Sequence, residues 1–139
     1  MNCLSGHIET LSGAGNITIA GIKTGQTLIY AIVIGDARNK GYLTPETKVE
    51  ALFNESEVMI GKSVSGKLSI GNAIECLVTS VDTGKVFTNI GLNIEGNIVF
   101  SMIASTMFHD MGIAVGDKVT AYIKMTDVFI QYPENEKND

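Results

Sequence analysis

The stretch Val49–Gly61, "VEALFNESEVMIG", returns 70 positions later as Val119–Gln131, "VTAYIKMTDVFIQ". The repetition runs along most of the 139-residue chain without gaps. Asn2 stands against Asn72, Leu4 against Ile74 and Ile8 against Val78. Leu28-Ile29-Tyr30 stands against Ile98-Val99-Phe100, Lys48-Val49 against Lys118-Val119, and Val58 against Val128. Few residues are identical, but the apolar positions keep step. A repeat at fixed spacing means one small unit written twice. About 65 residues is close to the smallest length that buries a core of its own. The expected organisation is a first domain over 1–62, a polar joint over 63–67, a second domain over 68–131 and a disordered tail over 132–139.

Inside each unit the pattern is that of strands. "HIETLSG", "NITIAGI" and "AIECLVTSV" alternate apolar with polar. "TLIYAIVI" and "NIVFSMIA" are unbroken apolar runs, the pattern of strands buried on both faces. Glycine-bearing breaks such as "SGAGN", "KTGQ", "DTGK" and "IEGN" separate them. One short helix fits each unit. In the second, Ser105 is the expected N-cap of "TMFHDM" and Gly112 its left-handed stop; in the first, Asp36 and Gly41 hold those places. "VGDKV" is a tight turn into the last long strand. The expected fold is all-β with short helical turns, as two tandem OB-like five-stranded small barrels. An open β-sandwich fits the same strings.

Composition narrows the function. The net charge is −5, with nine lysines and the single arginine Arg38. A nucleic-acid surface needs a basic stripe, so no nucleic acid is expected. The longest apolar run, Leu28–Ile34, is too short to span a bilayer, and the N-terminus lacks a basic segment ahead of an apolar one. The expectation is a cytoplasmic protein with no membrane partner. Cys3 and Cys76 stand alone, as small apolar residues or surface thiols, and a disulfide between them stays open. His7 and His109 occupy non-equivalent places with no acidic partner or nucleophile in a known pattern. No P-loop, dinucleotide fingerprint or nucleophile–base set is present, so no enzyme and no bound metal are expected.

The ends of the units carry a family resemblance. In the second unit "LSIGN" opens the unit, "SMIASTMFHDMGIAVGDKV" runs through the helix, and "IKMTDVFI" closes the unit. This ordered set resembles the molybdate-binding Mop domain, also described as a TOBE domain, and it covers nearly the whole chain as two copies. The resemblance implies binding of molybdate or tungstate for storage or homeostasis, at subunit or repeat interfaces. It also implies self-association, as a trimer or hexamer. A tetrahedral dianion needs donors: hydroxyls, backbone N–H groups and a cation. Carried over by position, the oxyanion-binding candidates are Ser69, Asn72, Ser105, Thr106, Lys124 and Thr126. Each also has a plain reading: a solvated lysine, a strand-edge hydroxyl, a turn-fixing asparagine, a helix cap. Gly71 replaces the family's Arg and Ala104 a Thr usual before the helix, which removes two donors. The first unit lacks the Ser and Arg of its opening motif, and its closing motif reads "NESEV". Glu55 and Glu57 would repel a dianion, so the first unit is expected to be degenerate and to serve as scaffold. The alternative of another class is an oligomeric regulatory or scaffold module that has largely lost oxyanion binding.

Overall fold

The computed structural model describes residues 1–35 and 43–133. The expected first-unit helix, with its cap Asp36 and stop Gly41, and most of the tail lie outside the described residues. Ten strands follow in order: β1 (Asn2–Ala14), β2 (Ile17–Thr24), β3 (Thr27–Ile34), β4 (Lys48–Phe53), β5 (Met59–Gly61), β6 (Gly71–Thr83), β7 (Phe87–Ile94), β8 (Asn97–Ala104), β9 (Lys118–Lys124) and β10 (Phe129–Gln131). Among the described residues one helix is present, α1 (Ser105–Met111), which follows β8. Short 3-10 turns, Glu55–Glu57 and Met125–Asp127, precede β5 and β10. The 70-residue offset maps β2 onto β7, β3 onto β8, and each closing turn and strand onto the other. Even the bulge recurs, between Ile8 and Thr10 in β1 and between Val78 and Ser80 in β6.

The fold is all-β, with two five-stranded sheets. Their strand orders are β10-β4-β1-β2-β3 and β5-β9-β6-β7-β8. In each the two outermost strands touch without pairing, β10 with β3 and β5 with β8, as in a small barrel closed by side chains. Alternation sets the cores. Along β6, Asn72, Ile74, Cys76 and Val78 are buried while Ala73, Glu75 and Leu77 are exposed. Leu4, Ile8, Ile22, Ile29, Val49 and Phe53 fill one barrel; Ile74, Val78, Ile90, Leu92, Val99 and Ile123 fill the other. At the β7–β8 hairpin, Glu95 (φ 52°) and Gly96 (φ 82°) take the left-handed conformation. Such a pair matches the twist of the two strands it joins.

The compact units differ from the contiguous division into 1–62 and 68–131. One unit holds Cys3–Phe53 together with Met125 onward; the other holds Asn54–Lys124 and Asn2. Each repeat gives its closing segment to the other unit. In the first unit β10 pairs with β4, Phe129 against Leu52 and Gln131 against Glu50. In the second, β5 pairs with β9, Met59 against Tyr122 and Gly61 against Thr120. Val58 and Val128, each about 2 % exposed or less, anchor these segments in the unit that receives them. The acidic "NESE" turn therefore belongs to the second unit, where it packs on β8.

A second difference concerns β3 and β8. Their apolar runs read as strands buried on both faces, yet both are sheet-edge strands with one covered face. Ile29 and Ala31 are buried in β3, Val99 and Ser101 in β8. On the outer faces Ile34 is 73 % exposed and Ile98 49 %. An apolar run reads the same whether a second layer of the same chain covers it or nothing does.

The exchange predicts how the chain can be cut. Residues 54–124 contain all five strands of the second sheet in one continuous segment. That fragment should unfold cooperatively in urea. A fragment over 67–131 lacks β5 and keeps an unpaired β10, and it should show no cooperative monomeric transition. The reverse pattern would contradict the exchange.

Candidate functional site

The opening and closing motifs of the second unit meet across one ladder. β6 runs antiparallel to β9, with Gly71 opposite Lys124 and Asn72 opposite Ile123. Ser69 lies in the turn just before β6 and is exposed, as is Lys124. This end of the sheet thus presents a hydroxyl and an ammonium group from segments distant in sequence. Gly71 has φ 95°, a conformation that L side chains rarely adopt. The position where the family carries Arg is therefore a backbone bend here.

Asn72 is 2 % exposed and already has an interaction partner. Its repeat equivalent, Asn2, is also buried. Asn2 Nδ2 donates to Phe100 O at 2.8 Å, and Phe100 N donates to Asn2 Oδ1 at 2.8 Å. The side-chain amide acts as a peptide group for the free edge of β8, satisfying two backbone groups that would otherwise be stranded. Ser101 Oγ, on the same strand, donates to Val58 O at 2.6 Å and ties the exchanged segment to that edge.

Ser105 and Thr106 stand at the opposite end of the 13-residue strand β6, beside Thr83. The structure does not bring them together with Ser69 and Lys124 within the unit. Nor is Ser105 the cap of α1. The N-cap is Ala104, with no side-chain cap bond, and Ser105 is the first helical residue. Its Oγ donates to Gly84 O at 2.7 Å and lies 2.8 Å from Thr88 Oγ1. With the single serine proton given to Gly84, Thr88 must donate to Ser105. Both hydroxyls are buried. The serine is a structural relay because its N–H also bonds back, to Val86 O at 2.8 Å. The expected helix stop is as read: Gly112 is left-handed at φ 64°, ψ 39°. Thr106 is exposed. Thr126 lies in the 3-10 turn Met125–Asp127 that packs on β3 in the first unit.

Lys62, between β5 and the joint, is anchored to the second unit. Lys62 Nζ donates to Gly112 O at 2.8 Å and lies 3.1 Å from Asp117 Oδ2. Ala114 N also donates to that carboxylate, at 2.9 Å. The Ala114 bond first, and Lys62 second, hold the Asp117 carboxyl below the usual aspartate range. Cys3 and Cys76 are both free thiols. Burial pushes the Cys76 thiol up to about 11, against a weaker opposing bond to the Ala121 backbone. Burial also raises exposed Cys3, helped by its bond to Glu50 Oε2 at 3.3 Å. Among the described residues no group of three or more His, Cys, Asp or Glu side chains could hold a metal ion, and no helix is long and apolar enough to cross a membrane.

Residues 68–130 match the TOBE domain family. A search of curated proteins by sequence found no match. Among solved structures the chain is similar to the cytoplasmic molybdate-binding protein ModG, in a PEG-grown crystal form with molybdate bound. The TM-score is 0.88 at 23 % identity, over 95 % of this chain and 96 % of that one. At that identity the likeness establishes a shared fold across both units.

Two outcomes follow from the site's surroundings. Ser105→Ala strands the Gly84 carbonyl and the Thr88 hydroxyl, and should cost about 1–3 kcal/mol in urea unfolding. Cys76 has a folded value above its unfolded one, so its contribution is complete below about pH 9 and is lost as pH rises through about 11. Stability should fall over that window less steeply in Cys76→Ala than in the native chain.

Proposed function

We propose that this chain, whose second repeat is a TOBE domain, binds molybdate or tungstate in the cytoplasm, for storage or homeostasis. The observation that carries the reading is the register of Gly71 against Lys124, which joins the opening and closing motifs at one end of the second sheet. Lys124 supplies the cation and Ser69 a hydroxyl. The bend at Gly71 stands between them in sequence and register, with buried Asn72 next to it. A tetrahedral dianion is held by such donors without a catalytic base. The structural relative's printed description, a molybdate-binding protein with molybdate bound, supports the same ligand.

Lys124 and Ser69 are too few for a dianion's four oxygens. Further donors would come from another copy of the chain, with exposed Thr106 and Thr126 as candidates. Self-association has its own support. The outer faces of β3 and β8 carry apolar side chains, Ile34 and Ile98 among them, on sheet edges. Such faces mark association surfaces.

The alternative, an assembly module without its anion, has specific support too. Gly71 replaces a cation, Ser105 is spent on Gly84 and Thr88, and the closing turn of the second unit carries Glu55 and Glu57. Titration calorimetry of chelator-washed protein with molybdate, tungstate and sulfate separates the two. The oxyanion reading expects saturable heat with molybdate or tungstate, none with sulfate, and affinity at least about tenfold weaker in Lys124→Met, as for a lost charge-assisted bond. Silence with all three anions, from a chain that light scattering shows to be oligomeric, would leave the assembly reading. In either case Ile34→Glu with Ile98→Glu should disperse the oligomer, and an unchanged mass would refute these faces as the interface.

A further inference from the structure

The two units differ in residues on one outer face, and on that face the second unit carries a groove. In the first unit Gln131 of β10 faces Glu50 of β4, and Gln131 Nε2 donates to Glu50 Oε1 at 2.9 Å. The equivalent pair in the second unit is Gly61 and Thr120. Gly61 carries no side chain, and the space directly above it is already taken by Tyr122 and Val64. A Cβ on Gly61 would lie 2.5 Å from the Tyr122 ring and 2.9 Å from Val64 Cγ2. Beside it a groove of about 510 Å³ lies between the joint, β6 and β9.

Charge on this face diverges in the same way. In the first unit several polar and charged side chains have near neighbours. Lys23 meets Glu9 at 3.6 Å, His7 meets Glu46 at 4.0 Å, and Glu50 takes Gln131 and Cys3. In the second unit Lys118 and Glu75 line the groove with opposite charges, and neither has an ion pair with any described residue. Ladder register places Leu77 opposite Lys118 and Glu75 opposite Thr120, so the two charged residues are diagonal neighbours along the groove floor. Between and beside them lie the hydroxyls of Ser63 and Thr120 and the exposed apolar side chains of Leu77 and Val64.

We propose that this groove binds a small zwitterion, an α-amino acid with an aliphatic side chain. The ligand's carboxylate sits at Lys118 with the Thr120 and Ser63 hydroxyls, its ammonium at Glu75, and its side chain on Leu77 and Val64. A metal oxyanion does not fit here, because the Glu75 carboxylate shares the lining and would repel a dianion. The groove is distinct from the Lys124 end of the sheet: Lys118 and Lys124 are at opposite ends of β9. The proposal therefore stands or falls independently of molybdate binding.

The test titrates the full chain with L-leucine, and with its two half-analogues isoamylamine and 4-methylpentanoate, by calorimetry and by amide shifts in NMR. Saturable leucine binding is expected, with shifts on β6, β9 and the joint. Both half-analogues should bind at least about tenfold more weakly, since each leaves one charged partner unmet. Lys118→Gln and Glu75→Gln should each weaken leucine at least about tenfold while leaving the unfolding midpoint and the molybdate titration unchanged. No saturation up to about 10 mM leucine, a dissociation constant too weak for a metabolite site, would overturn the proposal. So would equal binding of the half-analogues, or leucine binding indifferent to both substitutions.

Discussion

A five-stranded sheet is complete only when its last strand has arrived, because the backbone N–H and C=O groups on the open edge need partners. In this chain the last strand comes from the other repeat. β5 is followed by the rest of the barrel it completes, and β10 returns to a barrel begun more than a hundred residues earlier. Everything else in the architecture depends on that crossing. It makes residues 54–124 one continuous unit and leaves the first unit in two pieces. It explains why the chain writes nearly the same ending twice. Each ending has the same work, an anchoring valine and a three-residue strand, in the unit that it joins.

The crossing also redistributes chemistry. The acidic "NESE" turn reads as damage to the first repeat's own anion site. In the folded chain it covers the edge of β8 in the second unit, where Ser101 bonds its Val58 carbonyl. Thr126 moves the other way, onto β3. Lys124 stays with the strand that meets Gly71. Motif residues that are neighbours in sequence are thus parted between units, and residues far apart in sequence come together.

Two sheets of matching strand order carry different side chains. The buried pair Thr88 and Ser105 is hydrogen-bonded in the second unit, whereas the equivalent Thr18 hydroxyl in the first is buried without a partner, with Gly35 in the place of Ser105. Gln131 and Glu50 close a face of the first unit that Gly61 and Thr120 leave open in the second. In the second unit Lys62 and Asp117 are paired, while Lys118 and Glu75 have no ion pair with any described residue.

The amino-acid order by itself determined the repeat, the strands and most of the core, because period-two burial and glycine-marked turns are local properties that survive any arrangement of the strands. It also determined the helix stop at Gly112 and the candidate residues by motif. Which repeat receives each closing strand, that β3 and β8 are edges, and that Ser105 turns to Gly84 instead of capping α1 were decided only in three dimensions. The physical reason is the same in each case. An unpaired strand edge, an uncovered apolar face and a hydroxyl with a choice of acceptors are satisfied by whatever the fold brings near, and sequence spacing carries no record of that choice.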